Sequence, residues 1–206
     1  MHLVLVSGPW GSGTSAVTGA LKHLGIRTPK PYFVITDDPR TPITYENRQF
    51  RETVLEVAEE HTLRKKKSSS CIKDSLHRFR ESIKTELNLT DESQILLKLP
   101  LSAIVLDEIS EVFQTRLVVC LRPIAEIERS RQRRKWPAHF GAIGARIIYA
   151  KLIEHIANKE DSEYAMIRYK ELLGNPDKEL QRLAKFLALS PSNDSFEKSL
   201  LSLRRP

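Results

Sequence analysis

Short apolar runs alternate with longer stretches of helical periodicity along the chain. The runs at 2–6, 94–98, 116–121 and 164–168 are continuous and aliphatic, so they predict buried strands. Between them, apolar residues recur every three or four positions, which predicts helices over 14–24, 46–63, 74–87, 101–113, 124–135, 143–158 and 177–187. Three stretches lack both patterns and predict loops or a polar tail: the proline-rich 28–45, the Lys/Ser-rich 64–70 and the end 190–206.

This order of elements predicts an α/β fold with three layers. Strands that lack period-two alternation are typical of a parallel sheet covered on both faces, and we expect about four to five of them. The 206 residues contain no internal repeat, and their number suits a single domain over 1–206.

The composition indicates which class of partner the protein binds, but it does not distinguish between folds. A formal net charge of +7 favours an anionic partner. The basic residues are scattered and no aromatic residues interleave with them, which argues against a nucleic-acid-binding module. Two cysteines without a CxxC pattern predict neither a disulfide framework nor a metal site. The N-terminal apolar run is too short for a membrane span, so we expect a cytoplasmic protein.

The glycine-rich stretch at 8–15 carries the clearest chemistry. Three glycines in six positions let the backbone curl between the first strand and the first helix. Such a curl turns N–H groups inward, and the helix dipole adds positive charge at the same place. We therefore expect an anion site in a P-loop-like arrangement, formed by Gly11, Ser12, Gly13, Thr14 and Ser15.

An enzyme acting on nucleoside triphosphates fits this loop poorly. Such a loop needs Lys where Thr14 stands, and the Mg²⁺ ion needs an acidic ligand after a strand. The segment 103–108 ends in Asp107 and Glu108, but its apolar pattern continues with helical spacing, so we expect both carboxylates to be solvated on a helix. A kinase or NTPase with a degenerate loop stays an alternative, as does a non-catalytic nucleotide-binding protein.

Several segments, in order, resemble the sulfotransferase family that uses 3′-phosphoadenosine 5′-phosphosulfate, in its bacterial form. Ser12-Gly-Thr-Ser15 is similar to the family's 5′-phosphosulfate loop. The stretch 117–130, an apolar strand followed by Arg122 and, eight residues later, Ser130, resembles its 3′-phosphate motif. The segment 167–177 is similar to a later strand-and-helix segment, and the tail with Arg204 and Arg205 resembles the basic end of many members.

The resemblance implies a donor, an acceptor and a set of ligands. The donor, 3′-phosphoadenosine 5′-phosphosulfate (PAPS), is an anionic nucleotide and needs no metal ion. The acceptor is a hydroxyl or amine, with a mild preference for a carbohydrate. Arg122, Ser130, Arg204 and Arg205 are the implied ligands of the 3′-phosphate.

The sequence departs from the family at Gly11, where a Lys or Arg is usual. We expect Lys98, at the end of a predicted strand, to supply the missing cation, with Arg40 as the second choice. For the catalytic base we expect Glu46, and its alternatives are Asp37, Asp38 and His77.

Overall fold

A four-stranded parallel sheet forms the centre of the computed structural model, which describes residues 1–34 and 43–203. The strands are β1 (His2–Ser7), β2 (Ala58–Glu59), β3 (Arg64–Lys65), β4 (Gln94–Lys98), β5 (Gln114–Leu121) and β6 (Glu163–Arg168). The main sheet has the order β4-β1-β5-β6, and β2 pairs with β3 in a separate antiparallel hairpin. The predicted α/β class is therefore confirmed, and β1 lies inside the sheet with a neighbour on each side.

The helices of the described residues are α1 (Thr14–His23), α2 (Arg48–Val57), α3 (Ser69–Leu87), α4 (Leu106–Val112), α5 (Ile124–Arg134), α6 (Ala142–Asn158), α7 (Tyr169–Gly174), α8 (Pro176–Phe186) and α9 (Asn193–Leu203). Short 3-10 turns cover Pro100–Val105 and Ala138–Phe140. No helix of the described part is long and apolar enough to span a bilayer.

Alternate residues of each strand face two different apolar layers. Leu3 and Leu5 of β1 pack with α2, α3, α4 and α6, whereas Val4 and Val6 pack with α1, α7, α8 and α9. Burying both faces is what removes the polar alternation from these strands, as expected for a covered parallel sheet. The parallel register also brings the loop-side ends of β1, β4 and β5 to one edge, where Val6 pairs with Lys98 and Ser7 with Val119.

The structure differs from the sequence prediction after α2. The helix predicted over 46–63 ends at Val57, and the chain turns through the β2–β3 hairpin. Leu63, with φ 53°, is buried at that turn, so an apolar residue that matched the helical pattern anchors a hairpin instead. The predicted loop at 64–70 is accordingly divided between β3 and the first residues of α3.

The tail holds a helix that the sequence prediction missed. Helix α9 packs along α1, where Ser199 Oγ donates a 3.0 Å hydrogen bond to the Ala20 carbonyl. Leu203 completes its buried face, while Phe196 and Leu200 are partly buried beside it. This apolar stripe is short and interrupted by serines, which made the segment look like a polar tail.

The segment 103–108 forms a 3-10 turn and the start of α4, so the prediction that it is no strand is confirmed. The prediction that both its carboxylates are solvated is wrong for Glu108, which is 1% exposed. Lys65 Nζ of the hairpin donates a 2.7 Å hydrogen bond to Glu108 Oε1. Asp107 stays half-exposed and shares a 2.6 Å hydrogen bond with His155 Nδ1. Both acids therefore join α4 to neighbouring elements.

Candidate phosphate-binding site

The loop between β1 and α1 has the backbone that the glycines predict. Gly11 and Gly13 have φ values of 79° and 97°, in the left-handed region where residues with a Cβ are strained. Gly13 is the N-cap of α1, and no side chain caps the helix start. The first N–H groups of an α-helix lack partners within the helix, so those of α1 can bind an anion.

Ser12 is the most distinctive side chain of this loop. The residue is 1% exposed, and its Oγ has no hydrogen-bond partner among the described residues. A buried hydroxyl without a partner has lost its hydrogen bonds to water and has formed none with the protein, which costs free energy. A phosphate oxygen at the loop would supply the acceptor that this hydroxyl lacks.

The two hydroxyl residues that follow differ in their availability. Ser15 Oγ donates a 3.2 Å hydrogen bond to the carbonyl of Thr44, which joins the loop to the segment before α2. Thr14 is buried, and its carbonyl accepts a hydrogen bond from Thr18 Oγ1. Ser15 therefore positions the neighbouring segment in addition to any role towards an anion.

Arg122 and Ser130 meet at one residue of the phosphate loop. Arg122 Nη1 donates a 2.8 Å hydrogen bond to the Gly11 carbonyl. A Cβ at Gly11 would lie 3.6 Å from Ser130 Oγ, so this serine packs directly against the loop. The structure thus brings the Arg122/Ser130 motif against the glycine-rich loop, which the sequence placed in a separate motif, and the positive φ of Gly11 favours glycine there.

Aromatic residues hold Arg122 in this position. Its guanidinium lies 4.9 Å from the centre of the Tyr169 ring, which also covers Gly13, since a Cβ there would come within 2.2 Å of the ring. The Tyr149 hydroxyl donates to the Arg122 carbonyl at 3.0 Å. Burial raises the pKa of Tyr149 to about 12, so this hydroxyl keeps its proton at neutral pH.

Lys98 and Glu46 form a buried ion pair beside the loop. Lys98 Nζ donates a 2.7 Å hydrogen bond to Glu46 Oε1. On its other oxygen Glu46 faces Arg51 Nε at 3.5 Å, and Arg51 also contacts Glu60 at 3.1 Å. Burial raises the pKa of Glu60, with a smaller contribution from the nearby Glu46 carboxylate. Four charged groups therefore lie between β4, α2 and the hairpin.

Trp10 forms an aromatic wall together with the turn before α6. Its ring packs on Phe140 with centres 4.4 Å apart and meets His139 edge-on at 6.4 Å. His61 of the hairpin contacts His139 at 4.7 Å. Burial, with help from His61, lowers the pKa of His139, so its imidazole is held in the neutral form.

No protein-family model matches this sequence, and no curated protein is significantly similar to it. Solved structures are similar in fold. The structure matches sulfotransferase STF1 from Mycobacterium tuberculosis with a TM-score of 0.67 and 12% identity, over 97% of this chain and 70% of that one. It matches sulfotransferase STF9 from Mycobacterium avium with a TM-score of 0.66 and 13% identity, over 97% of this chain and 67% of that one.

The chain has the sulfotransferase fold. A third match supports the same conclusion, since the sulfotransferase domain of the curacin biosynthetic pathway has a TM-score of 0.52 and 16% identity, over 95% of this chain and 76% of that one. The resemblance found in the sequence motifs and the similarity of fold therefore agree. A shared fold does not assign a role to any individual residue, so each role depends on where that residue lies in this structure.

Some residues predicted for this sulfotransferase fold lie outside the described residues: Arg40, Asp37, Asp38, Arg204 and Arg205. His77 lies at an exposed position of α3. Of the candidates for cation and base, the structure brings together the first choice for each, Lys98 and Glu46.

Sequence reasoning missed two arginines on the sulfotransferase fold. Arg129 and Arg133 line an open groove of about 400 Å³ with Arg122, Glu126 and Gln132. Their spacing of four residues on a predicted helix was a usable signal, because it places both on the same helix face as Glu126. The high density of arginines around them hid that spacing.

Proposed function

We propose that this protein is a sulfotransferase that moves a sulfuryl group from PAPS to a hydroxyl or amine of an acceptor. The observation that carries the proposal is the meeting of Arg122 and Ser130 at Gly11. One residue of the 5′-phosphate loop is thereby in contact with both candidate ligands of a second phosphate. A nucleotide with separate 5′ and 3′ groups fits this arrangement better than a linear triphosphate.

The 5′ side of the donor would bind at the loop. The open N–H groups at the start of α1 and the unpartnered hydroxyl of Ser12 suit a phosphate oxygen. The sulfuryl group would then point towards the loop-side end of β4, where Lys98 pairs beside Val6 of β1. NTPases place an acidic metal ligand after a strand, whereas this neighbouring strand ends in a cation.

The transfer step needs one bond made and one bond broken. The acceptor oxygen or nitrogen attacks sulfur while the bond from sulfur to the bridging phosphate oxygen breaks, and that oxygen keeps the electron pair. Lys98 would stabilise the charge that develops on the leaving phosphate. Glu46 would take the acceptor proton, which first requires that its 2.7 Å bond to Lys98 loosens as the donor binds.

A carbohydrate is the first acceptor class to test. Trp10 and Phe140 offer aromatic surface on one side of the loop, against which a sugar ring could pack. Both cysteines are free thiols, which suits a reducing compartment, and we place the protein in the cytoplasm.

Two measurements on the full chain test the proposal. The first is calorimetric binding of 3′-phosphoadenosine 5′-phosphate (PAP), the desulfated product, without Mg²⁺. The second is transfer of radiolabelled sulfuryl from PAPS to a panel of sugars, phenols and amines. Tight PAP binding together with a labelled product supports the proposal. Mg²⁺-dependent ATP binding in place of PAP binding would overturn it in favour of a kinase or NTPase.

A non-catalytic nucleotide-binding protein is the remaining alternative. It predicts PAP binding with no labelled product from any acceptor. The Lys98–Glu46 ion pair favours this non-catalytic alternative, because the two groups bind each other and neither is free to act on a substrate. Slow hydrolysis of PAPS by the protein alone, lost in Lys98→Met, would argue against it without knowledge of the acceptor.

A further inference from the structure

Helix α6 exposes aliphatic side chains on the side that faces away from the core. Its inner side is buried through Ile148 and Leu152. On the opposite side Ile143 and Ile153 are 62% and 50% exposed, and Ile143 is the most exposed large apolar side chain of the described residues. Aliphatic residues that share one exposed side, rather than lying singly, mark an interaction surface.

This outer face of α6 is centred on Ala150, which is exposed as well. At 100° per residue, the positions three, four and seven residues before and after Ala150 share the face with it, within an arc of about 120°. Before Ala150 these positions hold Ile143, Arg146 and Ile147, and after it they hold Ile153, Glu154 and Ala157. The outer face is therefore apolar apart from one cation and one anion.

The outer face is complementary to itself when two copies of α6 lie antiparallel. A two-fold axis at Ala150 brings each residue level with the residue that lies equally far from Ala150 in the opposite direction on the second copy. Arg146 is then level with Glu154 of the second copy, and Ile147 is level with its Ile153. The symmetry repeats each of these contacts, and the small side chain of Ala150 lets the two helices approach closely at the axis.

The charges of the outer face favour antiparallel over parallel packing. In a parallel pair each residue meets its own copy, so Arg146 would face Arg146 and Glu154 would face Glu154, which is unfavourable. Glu154 Oε2 accepts a 2.7 Å hydrogen bond from Lys151 Nζ at the edge of the face. Lys151 uses only this oxygen, so Glu154 can accept a second cation on Oε1.

We propose that the protein forms a symmetric dimer through antiparallel packing of α6 against α6 of a second copy. The inference goes beyond the proposed function and does not depend on it, because the outer face contains no proposed ligand or catalytic group. Stable interfaces bury about 1,200–2,000 Å² in total, and a contact confined to one pair of helices reaches at most the lower end of that range. We therefore expect a weak dimer, with a dissociation constant of roughly 1–100 μM.

An exchange of charges tests the pairing, with sedimentation velocity of the full chain from about 1 to 300 μM as the measurement. Arg146→Glu and Glu154→Arg each bring like charges together twice in the dimer, so each should weaken dimerisation by about ten-fold or more. The double variant Arg146→Glu/Glu154→Arg exchanges the two signs and restores the attraction. Its dissociation constant should lie within about three-fold of the wild-type value.

A matched control makes the same change of charge on another helix. Lys198 of α9 is exposed and pairs with Asp194 at 2.7 Å. Lys198→Glu alters the net charge as Arg146→Glu does, and it should change the dissociation constant of the dimer by less than about two-fold, apart from long-range screening. Circular dichroism verifies that each variant is folded.

Disulfide formation tests the position of the two-fold axis. Cys71 is exposed and Cys120 is buried, so the two cysteine variants are made in Cys71→Ser. Ala150→Cys places both thiols at the axis, where oxidation by diamide should link the two chains. Ala157 is also exposed, but in the antiparallel dimer its two copies lie about 21 Å apart along the helices, so Ala157→Cys should stay unlinked.

The proposal is overturned if the wild-type protein stays monomeric at the highest concentration. It is also overturned if Arg146→Glu weakens the dimer no more than Lys198→Glu does, or if the double charge variant dimerises no better than the single ones. Linking of both cysteine variants would indicate parallel packing and would exclude the antiparallel dimer. These measurements involve no nucleotide, so their failure leaves the proposed function intact, and a failure to bind PAP leaves the dimer intact.

Discussion

Lys98 Nζ lies 2.7 Å from Glu46 Oε1, and the side chains are only 5% and 8% exposed. This contact joins the end of β4 to the residue two positions before α2. A buried pair is strongly favoured over either charge alone, because a single buried charge keeps its desolvation cost and loses its partner. The pair therefore couples the stability of the fold to the groups proposed for catalysis.

We predict that Lys98→Met lowers the free energy of unfolding by about 3–5 kcal/mol, since it leaves the Glu46 carboxylate buried beside Arg51 alone. The double variant Lys98→Met/Glu46→Gln should recover part of that loss, because no uncompensated charge stays behind. Urea unfolding followed by circular dichroism measures both. Equal destabilisation by the single and the double variant would contradict the pairing.

For catalysis we expect a different pattern. Lys98→Met should reduce sulfuryl transfer by about 10²- to 10³-fold, as for the loss of one group that stabilises developing charge. PAP affinity should stay within a few-fold, because the proposed phosphate sites lie at the glycine-rich loop and at Arg122 and Ser130. Transfer assays and calorimetry on the same folded sample separate the two. Parallel losses of transfer and of PAP binding would instead give Lys98 a binding role.

Ser12→Ala should change stability and binding in opposite directions. The variant removes a buried hydroxyl without a partner, so the ligand-free protein should be as stable or more stable by up to about 1 kcal/mol. PAP affinity should fall about ten-fold, as expected when one hydrogen bond to a charged group is lost. Thermal unfolding with and without PAP measures both effects. A less stable ligand-free variant would show that the hydroxyl has a structural partner.

Gly13→Ala should abolish nucleotide binding. A Cβ at this position would lie 2.2 Å from the Tyr169 ring, and φ is 97°. Gly25→Ala is the matched control, because its φ of 108° causes similar strain but its Cβ would meet nothing within 4 Å. We expect both variants to lose about 1–2 kcal/mol from backbone strain, and only Gly13→Ala to lose PAP binding as well. Calorimetry at saturating protein checks this, and PAP binding by Gly13→Ala would exclude a fixed contact between Tyr169 and the loop.

The neutral state of His139 predicts a pH dependence of stability. Burial lowers its pKa from the usual 6.5, so the folded protein binds a proton less readily than the unfolded chain. The associated stability is fully present above about pH 6.5 and is lost as the pH falls through the lowered pKa. His139→Phe removes the titrating group and keeps an aromatic ring. Relative to wild type, the unfolding free energy of this variant should be constant above pH 7 and improve towards pH 5, and a constant difference throughout would contradict the assignment.

The sequence predicted the central strands and the curled backbone of the glycine-rich loop because both depend on local patterns. Burial on two faces makes each strand a continuous apolar run, and the loop needs glycines wherever φ is positive. The end of α2 and the burial of Glu108 were not predictable in this way. They depend on Lys65 reaching across from the hairpin, a contact between residues 43 positions apart.

The candidate site was likewise predictable only in part. Local motifs were enough to propose its individual residues. The contact between Arg122 and Gly11 could not be predicted in this way, because these residues are 111 positions apart. The replacement of the usual cation by Gly11 gains a partial physical reason in the structure. The φ of 79° at this glycine disfavours a side chain, although a Cβ there would meet only Ser130, at ordinary contact distances of 3.6–3.7 Å.

The packing of α9 on α1 has a consequence for synthesis on the ribosome. Helix α1 is synthesised before α9, yet its outer face is completed only by Ser199 and Leu203, and Ser199 lies 179 positions after its partner Ala20. The nascent chain therefore carries a glycine-rich loop whose supporting helix stays half-covered until α9 has been synthesised. The proposed nucleotide site should form only after α9 has packed on α1, so a product truncated before α9 would not compete with the longer chain for the nucleotide.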